Sequence, residues 1–335
     1  MAVSDPTTMS AASGGDQDAF KRLTDPYVRE IHLHCYRMLG SFHDAEDAVQ
    51  ETLLRAWSHL GSLQDPRSLR AWLYRIATNV CLRQRVHAAN DPIMTSTSLD
   101  GFTPTVTPPY HLSPYPDAVL DQVQSPVGNP AVEYDLYETV QLAFLITVQL
   151  LPPRQRAVLL LHDVIGFTMA EIAEMLGTTV AAVNSGLNRA RSTLRESRAR
   201  LPTRARASRE VTDSLVEKCL AAWQAADMTR LADLLKADVV MGAPTWGVRL
   251  NGRPTVCEFL ASVPAAEQRA KFRFIATRAN RQPALAVYVL DEIAQTETYR
   301  ALGIIVLTMD GDAVGGIAMF PDPKLMLSFG LPMHL

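Results

Sequence analysis

The chain has 335 residues, with 32 Lys and Arg against 35 Asp and Glu and a formal net charge of −3. This length indicates two or three domains, and a hydrophobic fraction of 47% is typical of globular domains with apolar cores. The charge excludes a uniformly basic nucleic-acid-binding protein, and four cysteines exclude a disulfide scaffold. No apolar run is as long as a membrane helix, and no signal peptide precedes the first domain, so we expect a cytoplasmic protein without a membrane partner.

Helical periodicity dominates the first 90 residues. Residues 1–17 are small and polar and are predicted to be disordered. Apolar residues recur at intervals of three and four over Ser41–Leu60, and Ser41 with Asp44 three positions later predicts the start of this helix. A short loop follows, and Ser68 would cap the next helix.

The middle of the chain changes from a linker to a second helical segment. Residues 86–130 contain eight prolines and no Lys or Arg, which is typical of an extended linker between domains. Helices are predicted again over 131–150. Pro152 and Pro153 favour a further helix start, because proline is tolerated in the first turn.

Residues 168–195 carry a helix-turn-helix pattern. Thr168 and Glu171 predict a capping box at the start of the first helix, and Gly177 predicts a left-handed residue at its end. A short turn leads into a second helix from Val180, and this arrangement places a helix in a DNA major groove. A plain three-helix bundle is the alternative interpretation.

The C-terminal part is predicted to be an α+β domain. Val211–Ala226 and Met228–Lys236 have helical patterns, and Asp310–Asp312 is a hairpin turn signal. Alternating apolar residues then predict strands over Lys271–Arg278, Ala284–Leu290, Glu297–Met309 and Ala313–Phe320. We expect two helices followed by a curved antiparallel sheet.

Charge is concentrated in two places of opposite sign. Eight arginines against the single acid Glu196 occupy residues 189–209, which favours an anionic partner over a merely solvated face. The helix over 41–60 instead presents an acidic and polar face that would repel DNA. This pattern favours protein docking, with solvation as the alternative. The face comprises Asp44, Glu46, Asp47, Gln50, Glu51 and Arg55.

Two helices carry residues suited to nucleic acid. In the second helix of the helix-turn-helix, the residues predicted to reach base edges are Asn184, Ser185, Asn188 and Arg189. Residues predicted to neutralise phosphates are Arg154, Arg156, Arg191 and Arg195. Interleaved aromatic rings and arginines suit a single strand, and the helix after Ser68 offers Arg70, Tyr74, Arg75, Asn79 and Arg83.

Taken in this order, the motifs resemble a known family. Asp44–Trp57 followed by Ser68–Asn79 is similar to region 2 of a group IV (extracytoplasmic function) sigma-70 factor. Leu151–Leu160, with Gly177–Ser185 and Arg189–Leu194, is similar to region 4. The resemblance implies an all-α region 2 over 18–90, a proline-rich linker over 91–130 and an all-α region 4 over 131–202.

The family resemblance also implies partners and roles. Region 2 would dock on the β′ clamp helices of core RNA polymerase through residues 44–57 and melt the −10 element of promoter DNA. The loop 61–67 would capture a flipped base, and the implied −10 contacts are Arg67, Arg70, Trp72, Tyr74, Arg75, Asn79 and Arg83. Region 4 would read the −35 element through Val180–Arg191 and touch the β flap. Family members often carry Lys or Arg where this chain has Asn184 and Gly186, so the resemblance does not predict which −35 sequence region 4 reads.

Residues 203–335 resemble a SnoaL-like, NTF2-like cone domain. The resemblance rests on Pro244–Trp246, Gly252–Phe259, the closing strands and the tail Phe320–Leu325. It implies a module that packs on regions 2 and 4 and regulates activity in cis. Aromatic residues here could line a small-molecule pocket or simply form the core of a curved sheet, and they are Trp246, Phe259, Phe272, Phe274, Tyr288, Tyr299 and Phe320.

The sequence thus predicts a multidomain sigma factor that is not itself an enzyme. Nothing marks a general acid or base in the C-terminal module, and His32, His34 and Cys35 lack the further ligands of a zinc site, so we expect no catalytic residue, metal or cofactor. One alternative is a small-molecule-binding or catalytic cone domain of cyclase or isomerase type on a sigma-like scaffold. A second is a one-component regulator, which would need only the helix-turn-helix.

Overall fold

The structure is a computed structural model that describes residues 6–63, 65–88, 112–123, 139–199, 208–225, 227–243, 248–262, 272–291 and 297–335. The chain divides into two compact units. The helical unit comprises Met1–Ile93 and Gln122–Leu201, and the C-terminal unit comprises Met94–Asp121 and Pro202–Leu335. Both sigma-like segments therefore fall in one unit, and part of the proline-rich linker belongs to the other.

Four helices form the first half of the helical unit. They are α1 (Pro6–Ser13), α2 (Gln17–Leu39), α3 (Phe42–His59) and α4 (Leu69–Ala88). Ser41 caps α3 and accepts a hydrogen bond from the Asp44 amide at 3.2 Å, as predicted. The predicted disorder of residues 1–17 is wrong for the described part, because Met9 and Ala12 of α1 are buried in the helical unit.

The second half of the helical unit contains the helix-turn-helix. Its helices are α6 (Leu142–Gln149), α7 (Pro153–Leu159), α8 (Met169–Leu176) and α9 (Val180–Ala199), with a π-helical turn over Leu160–Val164. Thr168 and Glu171 form the predicted capping box, and Gly177 has the predicted left-handed conformation at φ 60°. Helix α9 packs on α7 and α8, and α8 also packs on α4, so the two sigma-like segments contact each other within this unit.

The C-terminal unit combines helices with one sheet. Its elements are α5 (Asp117–Leu120), α10 (Arg209–Gln224), α11 (Met228–Asp233), β1 (Leu235–Ala243), β2 (Val248–Asn251), α12 (Arg253–Ser262), β3 (Phe272–Ala279), β4 (Gln282–Leu290), β5 (Tyr299–Asp310), β6 (Ala313–Phe320) and α13 (Leu325–Ser328). The helix-plus-sheet architecture and the four predicted strands are confirmed. The sequence reasoning did not predict β1 and β2.

Six strands of the described residues form a sheet in the order β2-β1-β6-β5-β4-β3. The pairing is mixed rather than purely antiparallel, because β1 runs parallel to β6. A bulge at Leu302 shifts the register between β4 and β5. Gly303 follows this bulge, and a Cβ there would lie 2.1 Å from the Phe320 carbonyl oxygen, so the close approach of β6 requires glycine.

Candidate nucleic-acid interface

The acidic face of α3 is present and largely exposed. Asp44, Glu46, Asp47 and Gln50 are exposed, whereas Glu51 and Arg55 are half-buried and form an ion pair at 2.6 Å. The opposite face buries Ala45, Ala48, Val49, Thr52 and Ala56 against the helical unit. Since the pairing offsets the charge of Arg55, the surface that α3 offers to a partner is net acidic.

An exposed leucine completes this face and was missed by the sequence reasoning. Leu54 is 64% exposed and lies one turn beyond Gln50 and two turns beyond Asp47 on α3. A single exposed leucine is ordinary on a protein surface, but this one lies beside the acidic residues of α3 that are predicted to bind a protein. The signal was available, because Leu54 falls outside the apolar stripe of its helix.

Helix α4 places its predicted DNA contacts in different surroundings. Arg67, Arg75 and Arg83 are exposed, Trp72 and Asn79 are half-buried, and Asp65 holds Arg67 at 3.1 Å in the loop before the helix. The Asn79 amide donates to the Arg75 carbonyl at 2.9 Å. These five side chains therefore remain candidates for strand contacts.

Arg70 and Tyr74 are not freely exposed. The Arg70 guanidinium binds Glu30 at 3.0 Å and lies 5.0 Å from the centre of the Tyr74 ring. Tyr74 is buried, and Phe167, which precedes the helix-turn-helix, meets its ring edge-on at 5.3 Å. Burial, followed by the Glu30 charge, raises the pKa of the Tyr74 phenol far above its usual value. In this arrangement Tyr74 is a core residue rather than a stacking platform, because Phe167 covers it.

The outward face of α9 carries most of the predicted duplex contacts. Asn184, Ser185, Asn188, Arg189 and Arg191 are all exposed, and so is Arg154 on α7. Arg189 donates to the Ser185 hydroxyl at 2.7 Å. Thr179 accepts a hydrogen bond from the Ala182 amide at 3.2 Å, which fixes the first turn of the helix.

Arg191 is engaged in an ion pair. Its guanidinium binds both carboxylate oxygens of Asp163, at 2.9 and 2.5 Å. Although partial burial opposes the shift, hydrogen bonds from Arg191 and His162 lower the pKa of Asp163 below its usual value. A phosphate would have to compete with this carboxylate for Arg191.

The predicted phosphate contact of Arg156 does not fit the structure. Arg156 is 2% exposed, and its guanidinium donates to the carbonyls of Val148, Gln149 and Leu151 at 2.8–3.0 Å. It also donates to the Gln149 side chain at 2.5 Å and to the Met38 carbonyl of α2. Arg156 therefore ties the end of α2 to the α6–α7 turn, because its donors reach carbonyls at both of these helix ends.

A segment of the linker is bound to the C-terminal sheet. Leu112, Tyr115 and Leu120 are each no more than 2% exposed. The Tyr115 backbone N–H donates to the side-chain oxygen of Asn280 at 2.8 Å, and the Asn280 backbone N–H donates to the Tyr115 carbonyl at 2.9 Å. The extended linker expected from composition is thus, over Leu112–Asp121, a docked segment.

The docked segment stabilises an unusual turn between β3 and β4. Asn280 and Arg281 both have left-handed conformations, with φ of 56° and 60°. Asp117 accepts the Arg281 amide at 2.8 Å and pairs with the Arg278 guanidinium at 3.3 Å. Burial raises the pKa of Asp117, although the hydrogen bond from the Arg281 amide opposes the shift. A left-handed conformation is costly for arginine, so these contacts offset strain in the turn.

The C-terminal unit contains a cavity of about 300 Å³ with an apolar lining. Phe259, Phe272, Phe274 and Phe320 line it, with Trp223 stacked on Phe274 at 5.7 Å. Tyr288 and Tyr299 do not, since Tyr288 donates to the Pro332 carbonyl and Tyr299 to Glu297. Trp246 lies outside the described residues.

No described helix is long and apolar enough to cross a membrane. Within the same residues, no three His, Cys, Asp or Glu side chains are grouped so that they could hold a metal ion.

Comparisons with known proteins place both helical segments. Residues 23–89 match the family model of sigma-70 region 2, and residues 143–194 match that of sigma-70 region 4. The ECF RNA polymerase sigma factor SigG of Mycobacterium tuberculosis is 38% identical over 323 residues, which cover 94% of this chain and 85% of that protein. SigW of Bacillus subtilis is 33% identical over 182 residues, covering 54% of this chain and 90% of SigW.

A solved structure shares the fold over nearly the whole chain. The crystal structure of the extracytoplasmic function sigma factor SigJ of Mycobacterium tuberculosis superposes with a TM-score of 0.58 at 24% identity, covering 94% of this chain and 99% of SigJ. The two region matches, the order of the regions and the full-length similarity to SigG agree with one another. The chain therefore belongs to the extracytoplasmic function family of RNA polymerase sigma factors.

Proposed function

We propose that this sigma factor binds core RNA polymerase through α3, contacts the −10 element through α4 and the loop before it, and contacts the −35 element through α9. The observation that carries the proposal is the separation of charge: α3 exposes an acidic face, whereas α4 and α9 expose arginines. Acidic residues disfavour DNA and suit a protein partner, while arginines position a phosphate backbone. The proposed domain boundaries are 18–90 for region 2, 91–130 for the linker, 131–202 for region 4 and 203–335 for the C-terminal domain.

On α3 the proposed docking surface is Asp44, Asp47, Gln50 and Leu54. The carboxylates and the amide provide hydrogen-bonding specificity at the rim, and Leu54 provides the apolar centre. On α4 the proposed strand contacts are Arg67, Arg75 and Arg83, with Trp72 and Asn79 between them.

Promoter binding requires the two regions to separate. The −10 and −35 elements are about 25 base pairs apart by their names, or about 85 Å along a B-form duplex. Phe167 contacts Tyr74 and Arg70, which supports the proposal that region 4 covers part of the proposed −10 surface. We propose that this contact opens in the holoenzyme and exposes Tyr74 and Arg70 to the DNA strand.

The C-terminal unit is proposed to regulate activity in cis by holding the linker. The linker runs between the two DNA-binding regions, and within its segment Leu112–Asp121 the buried residues Tyr115 and Asp117 bind the β3–β4 turn. A folded domain bound to the linker would obstruct any path through the polymerase that the linker must follow. Release of Tyr115 and Asp117 is therefore proposed to raise transcription.

The test is transcription by core RNA polymerase reconstituted with the full chain, read by run-off over a promoter library. Specific transcripts are expected with the wild-type chain. Asp117→Ala is expected to increase them, because it removes the acceptor for Arg281 and Arg278. Asp121→Ala is the matched control, since Asp121 is an exposed member of the same segment and its ion pair with Arg281 contributes little.

Two results would contradict the proposal. Absence of any transcript with a folded chain would reject sigma activity. Equal transcription with wild type and Asp117→Ala, together with equal proteolytic accessibility of the linker, would reject regulation through the docked segment.

A second candidate function is binding of an apolar ligand in the C-terminal unit. It is favoured by the cavity of about 300 Å³, which reaches the usual lower size of ligand sites. None of the described residues that line the cavity has a titratable side chain, and we propose binding without proton-transfer chemistry. Titration with a neutral fluorescent probe such as N-phenyl-1-naphthylamine tests it, and a signal unchanged in Phe274→Ala would place the probe elsewhere.

A further inference from the structure

The first turns of α9 carry no charge. From Gly177 to Asn188 the sequence contains no Lys, Arg, Asp or Glu. Val180 is 49% exposed at the start of the helix, and Asn184 is exposed one turn later. In a helix-turn-helix the N-terminal residues of the second helix meet base edges. This part of α9 therefore offers a DNA duplex methyl groups and amides rather than cations.

The two exposed asparagines of α9 have different surroundings. Asn188 lines a groove between α6 and α9 together with Phe144, Asp163 and Arg191. Asn184 lies one turn nearer the start of α9, outside that groove. Among the described residues no hydrogen-bond partner of the Asn184 amide is found, so both its donor and its acceptor are available.

We infer that α9 selects an A·T pair in the −35 duplex, with Asn184 binding adenine and Val180 packing on a nearby thymine. Adenine presents an acceptor at N7 and a donor at N6 in the major groove, and an asparagine amide matches both. Guanine presents acceptors at N7 and O6, which would leave the Asn184 oxygen without a donor. This inference rests on the proposed contact of α9 with the −35 element.

Val180 extends the selection along the groove. Residues one turn apart on a helix are separated by about 6 Å along its axis, which is close to two base-pair steps. The C5-methyl of thymine is the apolar group of the major groove, and the valine methyls are the complementary surface. The selected thymine therefore lies within two base pairs of the adenine.

Arg189 is the other side chain of α9 that could determine the base preference. Its guanidinium donates one hydrogen bond to the Ser185 hydroxyl at 2.7 Å, and its other N–H donors could bind guanine or a phosphate. A phosphate contact would add affinity without base preference, whereas a guanine contact would shift selection to G·C. The experiment separates these outcomes.

The test is in vitro transcription by core RNA polymerase with the full chain on promoters whose −35 element is randomised. The wild-type chain is expected to enrich an A·T pair at one position. Asn184→Ala is expected to lower that preference by about five- to 150-fold at that position only. Ser192→Ala, at an exposed position of α9 outside the proposed base contacts, is the matched control and is expected to leave the preference unchanged. Circular dichroism confirms that both exposed-site variants are folded.

Replacement of thymine by deoxyuridine tests Val180. The removed methyl is expected to weaken transcription with the wild-type chain, and the effect is expected to shrink in Val180→Ala. A preference for G·C that disappears in Arg189→Ala, or a preference for A·T that survives Asn184→Ala, would overturn the inference. Loss of all transcripts on every promoter would instead reject the proposed sigma activity, so the two failures are distinguishable.

Discussion

Replacement of the buried Arg156 tests whether this residue is structural or binds DNA. The guanidinium has five hydrogen bonds, to the carbonyls of Val148, Gln149, Leu151 and Met38 and to the Gln149 side chain. A buried acceptor left without its donor costs about 1–3 kcal/mol, and water entering the vacated space would offset part of that cost. We therefore expect Arg156→Ala to lower the free energy of unfolding of the helical unit by about 3–5 kcal/mol.

The assay is urea denaturation of the full chain followed by far-ultraviolet circular dichroism. Arg154→Ala is the matched control, because Arg154 is exposed two positions away on α7 and its loss should change stability by less than about 0.5 kcal/mol. Unaltered stability of Arg156→Ala combined with loss of promoter binding would refute the reasoning. That result would restore Arg156 to the phosphate contacts predicted from the sequence.

Two further predictions concern α3 and the core of α2. Leu54→Ala is expected to weaken binding to core RNA polymerase about ten-fold or more without loss of stability, because burial of a leucine side chain contributes about 1.5–3 kcal/mol. Fluorescence anisotropy measures the binding. An equal loss of binding in the control Ser58→Ala would contradict this prediction. Burial, followed by the Arg37 charge, lowers the pKa of His34 to about 3. Between pH 6.5, the ordinary pKa of histidine, and pH 3, the His34 side chain is protonated in the unfolded chain but not in the folded chain. The free energy of unfolding should therefore fall as the pH drops from 6.5 towards 3, by up to about 1.4 kcal/mol per pH unit. His34→Gln should flatten this dependence in urea denaturation, and an unchanged slope would show that His34 is not its source.

Signals carried by neighbouring residues were predicted correctly from the sequence. Ser41 begins α3, Thr168 and Glu171 form the capping box, and Gly177 ends α8 in the left-handed conformation. A cap depends on residues within three or four positions of each other, so the sequence contains all of its parts. The predicted hairpin between β5 and β6 is confirmed for the same reason, with Gly311 at φ 63° in the turn.

Contacts between distant residues were not predictable. Arg156 was predicted to be a phosphate contact because it is a charged residue beside Arg154, but Met38, 118 positions earlier, supplies one of its acceptors. Tyr74 is covered by Phe167 from the other sigma-like segment. Periodicity shows which face of a helix is apolar, but it does not show which element will cover that face.

The sheet and the linker show the same limit. The parallel pairing of β1 with β6 has no hairpin signal, since the two strands are not joined by a turn. Proline content predicted an extended linker over 86–130. It did not indicate that Tyr115 meets Asn280, 165 positions away.

Covalent attachment changes what the docked linker segment needs in order to stay bound. Tyr115 and Asp117 belong to the same chain as the turn that binds them, so their effective concentration at that turn is of millimolar order for a flexible connection. An intrinsic affinity of only about 1 mM, or about −4 kcal/mol, would then suffice to hold the segment half of the time. A free peptide with the sequence of Leu112–Asp121 would compete poorly at micromolar concentrations. By contrast, a surface of the polymerase that binds the linker with modest affinity would shift the equilibrium substantially from the docked to the released segment.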